Sequence, residues 1–168
     1  HSLDPSERAI ERLRQDGMGD KARVGFSQSI PFDSAKFDVV VMSEVLEHLD
    51  DATLDATLDE VHRVLKPGGV FLATTPFRED LRTGTVVCPG CANVFHRMGH
   101  VQSIDRVRMR QMLEGHRYRI ERLSITTFVD WQRKGAKNLV KSALRVLLAR
   151  LGEPIADPHL FAIARKSG

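Results

Sequence analysis

Two apolar runs on either side of an amphipathic segment constrain the fold of this chain more than any other feature. Residues 37–42 and 70–75 are rich in β-branched and other apolar residues, which is typical of strands covered on both faces by helices. Between them, residues 50–65 carry leucines and valines at helical spacing, and the Lys-Pro-Gly-Gly turn at 66–69 ends that helix. The order strand, helix, strand predicts a parallel unit of an α/β sheet.

The flanking segments extend this pattern. Further strands are predicted at 1–4, 23–26, 118–125 and 160–164, and further helices from Pro5 and over 107–114. Because the last two strands lie close together in the sequence, one of them can run antiparallel. We expect a single α/β domain over 1–168, with a Rossmann-like parallel sheet and an antiparallel final strand.

The composition is that of an ordinary globular domain. Hydrophobic residues make up 42% of the chain and charged residues 28%, and no window approaches 18 continuous apolar residues. With no visible signal peptide, we expect a cytoplasmic protein. The net charge is +3, and the basic residues are spread along the chain, which does not indicate nucleic-acid binding. The oligomeric state cannot be predicted from these features.

Four candidate metal ligands lie within 13 residues: Cys88, Cys91, His96 and His100. Two thiolates and two imidazoles can close a tetrahedral structural zinc site, and the Pro-Gly between the cysteines permits a tight turn. We therefore predict that 78–103 is a zinc-binding loop insertion. The alternative is a loop with two free thiols and two solvated histidines. A redox pair is disfavoured, because the cysteines do not open a helix after a strand.

The segments IPFDSAKFDVVVMSEVLEHLDD and LDEVHRVLKPGGVFLATTPF resemble the class I S-adenosylmethionine-dependent methyltransferases, in particular type 11/12 and ubiquinone-pathway O-methyltransferases. The resemblance covers about half of the chain densely. It implies a first strand, a helix and a GxGxG-type loop before Asp4, and none of the 12 glycines forms such a loop. We expect this missing N-terminal segment to lie upstream; the alternative is a degenerate member of the family.

The resemblance also implies cofactor contacts at the carboxyl ends of the strands, where open parallel sheets bind ligands. Asp4 would accept hydrogen bonds from the ribose hydroxyls, and a helix N-cap is its alternative role. The other implied contacts are Phe26, Ser27 and Gln28 for adenine, and Ser43 and Glu44 for the methionine part. Many relatives carry an acidic residue at the position of Phe26, so a side-chain contact to the adenine amine is not expected here.

The ExxEH motif places Glu44, Glu47 and His48 on one face if this turn is helical. It resembles the ubiquinone-pathway enzymes and also the small-RNA 2′-O-methyltransferases, which implies a divalent metal at these positions with a later histidine, matched here by His100. Such a metal would lower the pKa of an acceptor hydroxyl. Many methyltransferases carry this motif without a metal. The alternative is therefore that His48 and Glu47 are catalytic residues, with His48 as a general base. His100 cannot serve both this site and the zinc loop.

These observations predict an enzyme that transfers a methyl group from S-adenosylmethionine to a small-molecule acceptor, at oxygen or nitrogen, mainly by alignment. The alternatives are a non-catalytic methyltransferase-like binding module and, less favoured, an RNA methyltransferase. Residues 136–151 form a basic amphipathic helix that either covers the acceptor pocket, contacts an anionic membrane surface or packs on the sheet. Phe128 and Trp131 are expected pocket walls, and His62 and His116 are expected to be solvated.

Overall fold

The computed structural model of the chain describes residues 1–128, 136–151, 153 and 156–168. In chain order, its strands and helices are β1 (Ser2–Asp4), α1 (Glu7–Leu13), β2 (Ala22–Val24), β3 (Phe37–Ser43), α2 (Asp51–Val64), β4 (Leu65–Pro76), β5 (Thr85–Val87), β6 (Val94–His96), α3 (Arg106–Gly115), β7 (Tyr118–Thr126), α4 (Ala136–Arg150) and β8 (His159–Lys166). The predicted strands and helices all recur among them, with bounds shifted by a few residues.

The main sheet has four strands in the order β3-β4-β8-β7. Strands β3 and β4 run parallel, and β8 runs antiparallel to both β4 and β7. A separate pair, β1 and β2, is parallel as well. The mixed sheet with an antiparallel final strand confirms the predicted fold class.

Helix α2 supports the sheet through one apolar face. Asp50 begins the helix, because its carboxylate accepts a hydrogen bond of 2.8 Å from the backbone N–H of Thr53. Leu54, Leu58 and Val61 are at most 1% exposed and pack in one core with residues of β4 and β8. Burying each leucine is worth about 1.5–3 kcal/mol, so the helix fixes the sheet firmly.

Strand β3 is less buried than the sequence predicts. Val39 and Val41 are 50% and 64% exposed, whereas Met42 faces the core. Among the described residues, β3 pairs with β4 on one side only, and both valines line a cavity toward β1. The face of β3 that carries Val39 and Val41 is therefore not covered by a helix among the described residues.

Residues 78–103 leave the sheet after β4 and return before α3. The backbone N–H of Arg78 donates to the carbonyl of Ile104 at 3.0 Å and closes the base of this segment. Within it, β5 and β6 form an antiparallel hairpin. Residues 94–103, which begin with β6, form the return arm of the insertion and carry His96 and His100.

His62 corrects one expectation about the helix surfaces. It was expected to be solvated, but it is 8% exposed and its ring lies edge-on to Tyr118, with 5.4 Å between centroids. Burial lowers the pKa of His62, which favours the neutral ring. His116 lies nearer the surface, where its nitrogens contact the carboxylates of Asp55 and Asp59 at 3.2 and 2.9 Å.

Helix α4 occupies the predicted range. Leu144, Leu147 and Leu151 in and after this helix are 54–70% exposed. The side chains of Lys137, Leu139 and Val140, and the expected pocket wall Trp131, lie outside the described residues. None of the helices in the described ranges combines the length and apolarity that crossing a bilayer requires.

Candidate active site at the carboxyl ends of the strands

A cavity of about 640 Å³ opens between the β1-β2 pair and β3. Its wall includes five of the six expected cofactor contacts: Asp4, Phe26, Ser27, Gln28 and Ser43. His48 lines the same cavity, whereas Glu44 does not. The cavity also extends along the rest of β3, from Phe37 to Val41, so the carboxyl ends of β1 and β3 and the turn after β2 form one part of its wall.

Asp4 is the last residue of β1, and one of its carboxylate oxygens accepts a hydrogen bond within the chain. Its Oδ1 accepts a hydrogen bond of 2.7 Å from the backbone N–H of Ser6. The N-cap of α1 is Ser6 itself, whose hydroxyl accepts from Ala9 N–H at 3.2 Å. Asp4 is therefore not the helix cap, and its second oxygen has no hydrogen-bond partner in the described part of the chain.

The turn after β2 supplies the residues expected near adenine. Phe26 is 59% exposed, and its ring contributes apolar surface to the cavity wall. The Ser27 hydroxyl lies 2.9 Å from the Thr57 hydroxyl, which ties the turn to α2. Because this bond occupies the hydroxyl, Ser27 offers the cavity mainly its backbone groups.

Glu44 turns away from the rest of its motif. Its backbone adopts the left-handed region with φ of 56°, and its Oε1 accepts from the Thr74 hydroxyl at 2.8 Å. Its Oε2 lies 3.1 Å from His159 Nε2. Burial by itself raises the pKa of Glu44, but the hydrogen bonds from His159 and Thr74 outweigh it and hold the pKa below its usual value.

His159 is a site residue that the sequence did not reveal. Its Nε2 faces Glu44, and its Nδ1 lies 2.9 Å from the carbonyl oxygen of Asp157. Because both nitrogens face acceptors, the ring is satisfied fully only as the imidazolium. Burial lowers the pKa of His159, but the hydrogen bond and charge of Glu44 outweigh it and raise the pKa above its usual value.

This pair predicts a pH window for stability. Glu44 has a folded pKa lowered from 4.5, so its contribution to the free energy of unfolding is lost as pH falls through that lowered value. His159 has a folded pKa raised from 6.5, so its contribution is lost as pH rises through that raised value. We expect His159→Gln to destabilise the protein by about 1–3 kcal/mol, most strongly between about pH 4.5 and 6.5. Urea unfolding of the wild type and of His159→Gln at a series of pH values measures the difference in free energy of unfolding. A difference that does not change with pH would contradict an ion pair between Glu44 and His159.

Glu47 and His48 lie in a single 3-10 turn, Leu46–His48. Glu47 is 1% exposed; its Oε2 accepts from the Thr75 hydroxyl at 2.9 Å, while its Oε1 has no hydrogen-bond partner among the described residues. That orphaned oxygen lies 3.9 Å from His48 Nε2. Burial raises the pKa of Glu47 above its usual value.

The other nitrogen of His48 fixes its tautomer. Nδ1 lies 3.2 Å from the carbonyl oxygen of Gly99, which can only accept, so Nδ1 carries the proton and Nε2 the lone pair. Gly99 has φ of 75°, and a Cβ there would lie 3.5 Å from His48 Nδ1. The backbone N–H of Val101 donates to the Glu47 carbonyl at 2.9 Å. The return arm of the insertion is thus hydrogen-bonded onto the Glu47–His48 turn.

The candidate metal ligands group differently from the prediction. In the described ranges, the groups of three or more ligand atoms within 4.8 Å of one another are Glu47, His48 and His100, and Glu79, His96 and His100. Neither group contains a cysteine, and neither contains Glu44. The structure thus separates Cys88 and Cys91 from His96 and His100. It groups His100 with Glu47 and His48, as the ExxEH resemblance implied, but leaves Glu44 out.

Comparisons with known proteins agree with this geometry. A methyltransferase domain family model matches residues 1–73. The sarcosine/dimethylglycine N-methyltransferase of Aphanothece halophytica is 30% identical over 63% of this chain and 36% of its own length. The demethylmenaquinone methyltransferase of Symbiobacterium thermophilum is 37% identical over 39% of this chain and 26% of its own length.

Among solved structures, a methyltransferase from Methanosarcina mazei superposes with a TM-score of 0.65 at 16% identity, over 98% of this chain and 80% of that one, which supports the fold. The chain spans about a third of the length of the curated relatives it matches. The segment matched by the family model contains β1 to β3 and most of β4, and the Glu47–His48 turn lies within it. Residues 1–73 therefore match the methyltransferase domain family, and the chain as a whole has the fold of S-adenosylmethionine-dependent methyltransferases.

Proposed function

We propose that the protein transfers a methyl group from S-adenosylmethionine to a small-molecule acceptor, at oxygen, with His48 and Glu47 acting on the acceptor. The observation that carries this proposal is the single cavity that joins Asp4, Phe26 and Ser43 to His48. A cofactor held by the first three side chains would therefore present its reactive end near an imidazole. An interaction module without catalysis would not need that alignment.

The residues of the cavity fit the cofactor. The second oxygen of Asp4 is free to accept from a ribose hydroxyl, and the exposed ring of Phe26 offers a flat apolar face for a base. When bound, S-adenosylmethionine supplies an electrophilic methyl group on a sulfonium. Since little activation remains to be provided, the chain contributes mainly orientation and removal of a proton.

His48 is suited to removing that proton. Its Nδ1–H is committed to Gly99, so the lone pair of Nε2 is available as a base. The buried carboxylate of Glu47, 3.9 Å away, stabilises the imidazolium that forms. These two side chains keep the roles that the ExxEH motif suggested.

The same side chains could instead bind a divalent cation, as the alternative to general-base catalysis by His48. Glu47 Oε1 is a buried oxygen without a hydrogen-bond partner among the described residues, and it lies 3.9 Å from His48 Nε2. One ligand atom each of Glu47, His48 and His100 lie within 4.8 Å of one another. One carboxylate and two imidazoles suit zinc in an open catalytic site, with a position left for an acceptor hydroxyl. We propose His100 as the third ligand, the later histidine that the resemblance implied, with Glu44 left out of the set.

Structural zinc at the tip of the insertion remains a separate proposal. The thiol pKa of Cys88 is lowered, first by the backbone N–H of Cys91 and further by the Cys91 side chain and the backbone of Gly90. A thiolate that accepts backbone N–H groups is a ready metal ligand. The pair offers two of the four ligands that a structural site needs.

The acceptor side is open and partly apolar. The Phe128 ring packs on His159 with centroids 4.6 Å apart and is 52% exposed. Two of the related enzymes are named for a demethylated menaquinone and for small amines, which favours a small-molecule acceptor. The exposed leucines of α4 support the proposal that 136–151 covers such an acceptor or touches a membrane surface.

Binding of the cofactor tests the proposal through Asp4. We expect Asp4→Asn to weaken the affinity of the full-length protein for S-adenosylmethionine roughly 10- to 100-fold, because a hydrogen bond to a charged group is worth about 1.5–3 kcal/mol. The asparagine oxygen can still accept from Ser6, so α1 is preserved. Titration calorimetry measures the affinity, and transfer of labelled methyl to a panel of phenols, quinols and amines identifies the acceptor.

Asp16→Asn is the matched control, since this exposed aspartate lies outside the cavity wall. Equal affinities for the Asp4 variant and the control would remove Asp4 from the cofactor site. Absence of any binding by the full-length protein would favour the non-catalytic module.

A further inference from the structure

We infer that Glu79 is a positioning residue: it binds His100 Nδ1 and thereby leaves the Nε2 lone pair as the one that His100 can offer to a cation beside Glu47 and His48. The insertion 78–103 then serves to complete the active site, because it contributes both Glu79 and His100. This inference rests on the cation site proposed above.

The contact between Glu79 and His100 sets the tautomer. Glu79 Oε2 lies in direct hydrogen-bond contact with His100 Nδ1. A carboxylate can only accept, so Nδ1 carries the proton and Nε2 keeps the lone pair. The His100 side chain is 9% exposed and that of Glu79 is 26% exposed, so water competes little for this bond.

His48 shows the same arrangement on the other side of the group. Its Nδ1–H is directed to the Gly99 carbonyl, and the His48 and His100 rings lie edge to face with centroids 4.8 Å apart. Glu47 is oriented in turn by the Thr75 hydroxyl. Each of the three ligands therefore has a partner that fixes its direction, as is typical of metal ligands in proteins.

Glu79 is itself held by His96. The His96 ring stacks on that of His100, with centroids 4.7 Å apart, and its Nε2 lies 3.6 Å from Glu79 Oε1. Its side chain is 6% exposed, and Gly84 leaves the space it occupies, because a Cβ there would overlap the ring. His96 thus confines Glu79 and His100 by packing against them, without a hydrogen bond from its Nε2.

The tautomer of His96 argues against a second cation on Glu79, His96 and His100. The backbone N–H of His100 donates to His96 Nδ1 at 3.3 Å, so Nδ1 supplies the lone pair and Nε2 the proton. The nitrogen that faces Glu79 therefore has no lone pair for a metal. Glu79 accepts a hydrogen bond from His100 Nδ1, whereas His96 Nε2 lies 3.6 Å from Glu79 Oε1 and has no hydrogen-bond partner among the described residues.

The test measures zinc affinity of the full-length protein by competition with a chromogenic chelator, in a Cys88→Ser/Cys91→Ser background that removes the thiols. We expect Glu79→Ala to weaken the affinity roughly 10- to 100-fold, the usual effect of losing a residue that orients a ligand. Glu79→Gln keeps an acceptor oxygen for His100 and should recover much of the loss. Asp80→Asn, an exposed neighbour paired with Arg82, should have no effect.

An unchanged zinc affinity in Glu79→Ala would overturn the inference, as would an equal loss in Asp80→Asn. A wild-type chain that binds no zinc would overturn it together with the cation site, whereas cofactor binding through Asp4 would still stand. Nitrogen-15 spectra of the metal-free wild type give a test that needs no variant to fold. They should show His100 protonated at Nδ1, and protonation at Nε2 instead would overturn the inference.

Discussion

Replacing His48 by asparagine is expected to lower the kcat of methyl transfer about 10²- to 10⁴-fold, the usual contribution of a positioned acid or base. The asparagine amide can still donate to the Gly99 carbonyl, which His48 Nδ1 contacts at 3.2 Å, so the turn and the return arm stay joined. What the variant loses is the Nε2 lone pair, whether that atom removes a proton or binds a cation. The affinity for S-adenosylmethionine should be preserved.

The measurement is a rate of labelled methyl transfer at saturating cofactor and acceptor, with calorimetry of cofactor binding beside it. His116→Asn is the matched control, because that histidine contacts only the helix carboxylates of Asp55 and Asp59 in the described structure. A His48 variant with an unchanged kcat would show that this imidazole takes no part in the reaction. A loss of cofactor affinity equal to the loss of rate would make it a binding residue instead.

Much of the fold could be predicted because its strongest signals are local. The apolar run of β4 and the helical spacing of α2 are each determined by neighbouring residues, whereas the turn predicted at 66–69 is the start of β4 itself. The exposure of Val39 and Val41 could not be predicted, because the face that a strand presents depends on what lies beside it in space. A continuous apolar run identifies a strand, but it does not identify the neighbours of that strand.

The candidate site was predicted in part, for a definite geometric reason. Grouping Glu44 with Glu47 and His48 assumed one helical turn, but Glu44 has φ of 56° and 46–48 is a 3-10 turn. The positions i, i+3 and i+4 therefore do not share a face, and Glu44 pairs with His159 instead. This partner lies 115 residues later, at the start of an antiparallel strand, where no spacing rule could have indicated it.

The Cys/His insertion shows the same limit. Short spacing suggested that its cysteines and histidines share one ion, yet the hairpin register pairs Thr85 with His96 and thereby sets the histidines at the base. The cysteines lie at the opposite end, beyond Val87 and Val94. A hairpin separates residues of its tip from those of its base, so closeness in sequence does not make a site.

Glu47 is where stability and function should respond in opposite directions to one change. Its Oε1 is a buried carboxylate oxygen with no hydrogen-bond partner in the described part of the chain, which costs the metal-free protein free energy. In Glu47→Gln, the amide oxygen can keep the hydrogen bond from the Thr75 hydroxyl, and the uncharged N–H₂ that replaces Oε1 costs less to bury than a carboxylate oxygen. We expect the metal-free variant to gain about 1–3 kcal/mol in free energy of unfolding.

The same variant should lose zinc affinity by more than the roughly 10- to 100-fold that an orienting residue contributes, because a charged ligand itself is removed. Urea unfolding in the presence of chelator measures the first effect, and chelator competition without urea measures the second. Glu60→Gln is the matched control for stability. Glu60 pairs with Arg63, so this change should only lower the free energy of unfolding. If Glu47→Gln destabilised the metal-free chain as Glu60→Gln does, Glu47 would be a structural carboxylate. A gain in stability with a loss of zinc would show that the fold keeps an unfavourable charge because the site requires it.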